Sequence, residues 1–256
     1  MTKSVVLIHG AFCGGWCFAD IMPVLAARGW NCQAPDLPFH VSGPARAPDP
    51  QLAKQSVADY TRDMAAFVAR FPEPPVIVGH SMGALIAQQL AAQGLARALV
   101  LLAPGAPWGV LPSTEDEMTL AKGLMMASPF WDKALNPSFE VAEGDSLASL
   151  DPAAQRRIFE MFSPESGLAL FELFFWMFDM QRTTSVETDK VTCPVLVVSG
   201  SQDKVISPVT GRKVAQLYRD STFEEDAGRG HFLIMEEGAT QLAERCAAWM
   251  AKVTGQ

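Results

Sequence analysis

A chain of 256 residues that is 49% hydrophobic can bury the core of one large domain, or of one domain with an insertion, without disulfide or metal staples. Its formal net charge of −8 repels polyanions and argues against a nucleic-acid partner. No apolar run reaches the roughly 18 residues of a membrane span, and the start "MTKSVVLIHG" lacks a signal-peptide pattern, so no transmembrane segment and a cytoplasmic location are expected.

The run "SVVLIHG" (4–10) is β-branched and apolar and predicts a strand buried on both faces. Residues 20–28, "DIMPVLAAR", have helical spacing that Gly29 stops. "WNCQAPD" (30–36) reads as a second strand, and "LPFHVSGPARAPDP" (37–50), rich in Pro and Gly, as a loop. An amphipathic helix over 55–70, a strand at 74–79, a helix over 83–94 and a strand at 97–104 follow. Alternation of this kind predicts a parallel sheet with helices on both faces. It breaks over 107–190, which read as mainly helical, with joints at Pro112, Pro129, Pro137, Pro152 and Pro164. It resumes with a strand at 193–200, a helix over 207–218, a short strand at 221–226 and a closing helix over 236–253. The expected division is a core of 1–106 and 191–256 with a helical cap, or lid, of 107–190.

The inserted stretch carries 14 acidic and 6 basic residues, which accounts for all the excess negative charge. It is a third of the chain but holds 8 of 15 Phe, 3 of 6 Trp and 6 of 12 Met. The segment "LALFELFFWMFDM" (168–180) is expected as one helix, apolar nearly all round. Glu165, Glu172 and Asp179, spaced by seven, would form its one wet stripe. Such a helix is buried between insertion and core, or presents some of Phe171, Phe174, Phe175, Trp176 and Phe178 to an apolar pocket; the two are compatible.

"GHSMG" (79–83) lies between a strand and a helix. A strand–Gly-x-Ser-x-Gly–helix turn holds its serine exposed in a strained conformation, which makes Ser81 a candidate nucleophile. A base must take its proton. Of the four histidines, His80 adjoins the serine and points away from it on a rigid turn; His9 ends the first strand; His40 lies in the Pro/Gly-rich loop. His231, in "GRGHFLIMEE", falls after the last strand, at the same carboxyl edge as Ser81, and is the expected base. Asp203, in "GSQDKV", follows the strand at 193–200 and is the expected orienting acid. Glu224, Glu225 and Asp226 compete for that role but are expected to face solvent. The order Ser, Asp, His is that of an α/β-hydrolase. For a developing oxyanion, the Met82 N–H at a helix N-terminus is one expected donor. The loop "HGAFCGGWCF" (9–18) offers the second, Ala11 by position, with Phe12 as the alternative. Trp16 and Trp108 are expected in the site walls. Five cysteines at irregular spacing make no disulfide framework, and Cys13 and Cys17 lack both a completing metal set and an activating base. With no G-x-G-x-x-G, Walker loop or Schiff-base lysine setting, neither a cofactor nor a metal is expected.

The segments "HGAFCGGW", "APDLPFH", "GHSMG", "GSQDKV" and "GRGHF" together resemble an α/β-hydrolase-fold protein of the capped, cofactor-free esterase kind. The first is also similar to the loop of plant methylesterases and hydroxynitrile lyases. Those lyases carry a threonine where this chain has Gly10 and a lysine where it has Phe232, so the resemblance implies an esterase more readily. It also implies a mostly parallel sheet of about six strands with the cap inserted after 98–103. The chain starts directly at its first strand, so the additional N-terminal strands of larger relatives are not expected. The expected activity is a serine carboxylesterase acting on uncharged, fairly apolar small-molecule esters. Amide, lactone or carbon–carbon hydrolysis, perhydrolysis and a silent ligand receptor are the alternatives, and a monomer or a homodimer is compatible with the sequence.

Overall fold

The structure, a computed structural model, describes residues 3–40, 43, 47–126 and 129–255. Six strands make one parallel sheet in the spatial order β2-β1-β3-β4-β7-β8: β1 (Ser4–Ile8), β2 (Asn31–Gln33), β3 (Val76–His80), β4 (Ala98–Leu102), β7 (Val195–Gly200) and β8 (Ser221–Asp226). The short β5 (Ala134–Leu135) and β6 (Glu165–Ser166) pair antiparallel, apart from that sheet. Helices α1 (Met22–Ala27) and α9 (Ala239–Thr254) cover one face; α2 (Val57–Val68), α3 (Met82–Ala92) and α8 (Pro208–Ala215) cover the other. Strand residues alternate between the two cores: Val5, Leu7, Val78 and Val198 pack with Leu25 and Leu242. Val6, Ile8, Ile77 and Val197 pack with Tyr60, Leu85 and Val214. That is why the central strands read as continuous apolar runs. The chain leaves β1 in one direction for β2 and returns on its other side as β3, so the loops after β1 and β3 diverge at the carboxyl edge, where such sheets bind ligands.

The predicted strands and helices are present, with trimmed ends. The second strand is only Asn31–Gln33, because Pro35 has no N–H for a ladder. A reciprocal Ser56–Asp59 capping box starts α2. Of the loop expected at 37–50, residues 41–42 and 44–46 lie outside the described residues.

Between β4 and β7 lie α4 (Glu115–Met126), α5 (Phe139–Gly144), α6 (Pro152–Phe159) and α7 (Gly167–Phe174). Two expectations for this stretch are corrected. The single helix over 168–180 stops at Phe174; Phe175 takes φ −122° and ψ 29°, and a 3-10 turn follows at Trp176–Phe178. The stripe expected to be wet is largely buried, Glu165 being 0% and Glu172 5% exposed. Of the three only Glu172 lies on the helix; Glu165 precedes it and Asp179 follows it, and Glu165 and Glu172 meet Tyr60 and Val57 of α2 rather than water. Glu172 Oε2 accepts the Val57 N–H, the first orphan donor of α2, at 2.7 Å. The exposed side chains are instead Met177, Phe178 and Met180, beyond the helix end. Among the described residues no helix is long and apolar enough to cross a membrane.

Burial pushes the Glu172 carboxyl up to about 7, with Asp179 adding to the shift and the Val57 N–H opposing it. A folded-state value above the unfolded one stabilises the fold fully below the unfolded value, near 4.5, and that contribution is lost as pH rises through about 7. Glu172→Gln removes this titration. The Tm of the variant minus that of wild type should therefore be more positive at pH 8 than at pH 5, by at least about 2 °C in thermal melts; a pH-independent difference contradicts the assignment.

Candidate active site

Ser81 sits between β3 and α3 at φ 53° and ψ −121°, a conformation that L side chains rarely adopt. Its N–H donates to Leu102 O of β4 at 3.1 Å, and its carbonyl accepts from Ala84 N of α3 at 2.9 Å, so the adjacent strand and the following helix hold it. The glycine after it is needed for close approach: a Cβ at Gly83 would overlap the carbonyl oxygens of Ile8 and His9 at the end of β1. At Gly10, a Cβ would stand 2.8 Å from Ser81 Cβ, which places the loop after β1 directly against the serine.

His231, in the loop between β8 and α9, brings Nε2 to 3.0 Å from Ser81 Oγ. Its Nδ1 lies 2.9 Å from Asp203 Oδ2, in the loop after β7. A carboxylate only accepts, so Nδ1 carries the proton and Nε2 is free to accept the Ser81 hydroxyl. Asp203 is 5% exposed; its other oxygen accepts the N–H groups of Val205 and Ile206 at 2.8 and 2.9 Å, which fixes its orientation. The competing acids of β8 turn elsewhere: Asp226 pairs with Arg229 and Arg245, and Glu225 with Arg212.

The other three histidines are also constrained by their partners. His80 Nε2 faces the carbonyl of His231 at 2.8 Å and must donate to it, holding the backbone of the residue that faces Ser81. Burial, with the His231 ring beside it, pushes His80 down to about 3, so it stays neutral. His9 donates from Nδ1 to Gly10 O at 2.8 Å and accepts the Leu37 N–H on Nε2 at 2.9 Å; burial and His40 push it down to about 4. His40 has acceptors on both sides: Leu37 O and Pro38 O at Nδ1, and Glu165 Oε2 at Nε2, 2.9 Å away.

The loop after β1 divides the two oxyanion candidates. The Phe12 N–H donates to Glu165 Oε2 at 3.2 Å. Among the described residues the N–H groups of Ala11 and Met82 have no hydrogen-bond acceptor. Cys13 and Cys17 are free and buried, and burial together with Cys13 drives the Cys17 thiol well up, away from thiolate character.

A cavity of about 80 Å³ opens beside Ser81 and Met82. Phe174 and Trp176 line it, with Val110, Pro112, Leu173, Val205 and Ile206. The other five aromatics expected there stand elsewhere. Trp16 packs between Phe162 and Phe232. Trp108 backs Trp176 at 5.2 Å, with Arg182 over its ring. Phe171 and Phe175 stack on each other and meet Trp131 and Phe130 respectively. Phe178 is 61% exposed. For Phe175 and Phe178 the end of α7 at Phe174 is the reason: beyond it the helical spacing no longer sets direction. One carboxylate joins the lining: Glu117, 5% exposed, which accepts from Thr114 N at 3.0 Å and Ser207 N at 2.8 Å.

The alpha/beta hydrolase family profile matches residues 5–245. The chain belongs to this family. As a whole, this hydrolase is 26% identical to a pimeloyl-[acyl-carrier protein] methyl ester esterase of Chromobacterium violaceum, over 91% of its own chain and 90% of the relative. It is 36% identical to a pyrethroid hydrolase of Sphingobium wenxiniae over 80 residues, 31% of its chain and only 27% of that relative's length. A solved methylesterase from Arabidopsis superposes with a TM-score of 0.71 at 16% identity, over 97% and 99% of the two chains, a likeness of fold in the plant methylesterase group.

Sequence reasoning about this hydrolase missed Glu165 and Glu117, and set His40 aside. The place of Glu165 immediately ahead of an almost wholly apolar helix signalled burial, though not its partners; Glu117, in the first turn of a polar helix, carried no such signal. Gly83→Ala tests the close approach of α3 to β1. It should cost about 1–3 kcal/mol in urea unfolding, as overpacking against rigid backbone does. A variant as stable as the parent hydrolase would show that the contact relaxes.

Proposed function

We propose that the protein is a serine carboxylesterase that cleaves uncharged, fairly apolar esters through an acyl-enzyme on Ser81. The observation that carries this is the 3.0 Å contact between Ser81 Oγ and His231 Nε2, with the imidazole oriented by Asp203. His231 takes the hydroxyl proton as Ser81 attacks the ester carbonyl. Asp203 holds the tautomer and balances the imidazolium. Met82 N–H, at the start of α3, and Ala11 N–H stabilise the oxyanion; what favours Ala11 over Phe12 is that the Phe12 N–H is already engaged by Glu165. The alcohol departs with the proton from His231, and water then releases the acid by the same route.

Residues 107–190 act as the cap: Val110, Phe174 and Trp176 from that stretch and Val205 and Ile206 from the core wall the same cavity. Its apolar lining favours apolar groups, and the Glu117 carboxylate disfavours anionic ones. That the relative from Chromobacterium violaceum is a methyl ester esterase supports ester over amide chemistry.

Ser81→Ala should reduce p-nitrophenyl ester turnover to near background, and Asp203→Asn should lower kcat on the order of 10⁴-fold, as removal of the orienting acid does in other triads. Unchanged turnover by Ser81→Ala sinks the mechanism. Across matched esters, one bearing a free carboxylate on its acyl chain should show kcat/KM at least about tenfold below its neutral counterpart, the scale of one like-charge contact. Equal values would remove the charge-selection claim.

A further inference from the structure

We propose that Glu165, reaching in from the stretch between β4 and β7, is the positioning residue of the oxyanion loop: its carboxylate, balanced by His40, holds the Phe12 N–H and leaves Ala11 free to donate to substrate. The inference rests on the esterase reading above and deepens it.

Phe12 has φ 62°, a left-handed conformation that phenylalanine keeps only when its surroundings enforce it. Three hydrogen bonds from one short segment do so. Glu165 Oε2 accepts the Phe12 N–H at 3.2 Å, the Ser163 N–H donates to Phe12 O at 2.8 Å, and the Ser163 hydroxyl donates to Cys13 O at 3.1 Å. The loop that lies against Ser81 is thus clamped by a segment about 150 residues away.

The carboxylate is fully saturated. Oε1 accepts Tyr60 O–H at 2.8 Å and Ser166 N–H at 2.7 Å, and Oε2 accepts His40 and Phe12. Three of these donors, Tyr60 O–H, Ser166 N–H and Phe12 N–H, carry a proton whatever the state of His40, and together they favour the ionised carboxylate. His40, with carbonyls at Nδ1, must then carry protons on both nitrogens, and the pair is ionic. The titration directions agree: burial alone would raise Glu165 and lower His40, yet their mutual attraction and hydrogen bonds move both the opposite way. The neutralisation has a catalytic consequence. A bare carboxylate behind the oxyanion hole would repel the developing charge; paired with imidazolium it orients the loop without adding net charge. Glu165 touches no reacting atom and acts through the loop backbone.

Glu165→Gln and Ser163→Ala test this, with p-nitrophenyl butyrate kinetics and inhibition by an aryl trifluoromethyl ketone, whose adduct on serine places an oxyanion in the hole. Loss of an oxyanion donor outright costs on the order of 10²–10³ in kcat. Displacing one through Glu165→Gln should lower kcat by about 10- to 100-fold, keep KM within about threefold and weaken the ketone by the same factor as kcat. Ser163→Ala, which loses a single hydroxyl and leaves the ion pair intact, should show the same coupled pattern at about 3- to 10-fold. It carries the test if Glu165→Gln fails to give a cooperative melt. Variants with kcat and ketone affinity within about twofold of wild type, or with only KM changed, overturn the proposal. A wild type that the ketone does not inhibit, together with an active Ser81→Ala, would instead overturn the esterase reading beneath it.

Discussion

The short contact between the Ser81 hydroxyl and Nε2 of His231 is the interaction on which the rest of the site depends. It has chemical value only if that nitrogen is unprotonated, and the proton's position is decided on the far side of the ring, by Asp203. Asp203 is held in turn by two backbone N–H groups, and the His231 backbone by His80. The four histidines illustrate how partners write protonation states. His9 and His80 are kept neutral by burial and by backbone partners, His231 is set as an acceptor toward serine, and His40 is made a cation by meeting acceptors on both nitrogens. One residue type serves four purposes because each ring meets a different set of donors and acceptors.

The same logic explains how the stretch between β4 and β7 joins the core. Three of its acidic residues are buried, and each ends on main-chain donors. Glu117 takes Ser207 N–H just ahead of α8, Glu172 takes Val57 N–H at the start of α2, and Glu165 takes Phe12 N–H in the loop after β1. Helix starts and irregular loops leave N–H groups without partners, and carboxylates satisfy them. Part of the excess negative charge counted in the sequence therefore serves as attachment. The exposed apolar side chains Met126, Phe178 and Met180 lie on the same stretch, away from these attachments.

How far the sequence could be read follows from range. Strands, helices and the places of Ser81, Asp203 and His231 are local signals: an apolar run, a turn residue, and a polar residue immediately past a strand. Parallel topology then brings the strand ends to one edge without further information. Glu165 was out of reach because helical periodicity tells which residues share a side, not what covers that side. Its partners come from residues 12, 40 and 60, which no pattern near 165 announces. Phe175 and Phe178, past the helix end, were misplaced for a related reason. A continuous helix predicts direction for each of them, and the chain leaves the helix at that point.

The proposed acyl-enzyme is open to direct observation. Acid quench during turnover of a p-nitrophenyl ester, followed by digestion and mass mapping, should find one acyl group on the peptide that holds Ser81. An acyl group on Cys13 or Cys17, or none on any residue while product forms at full rate, would contradict the account.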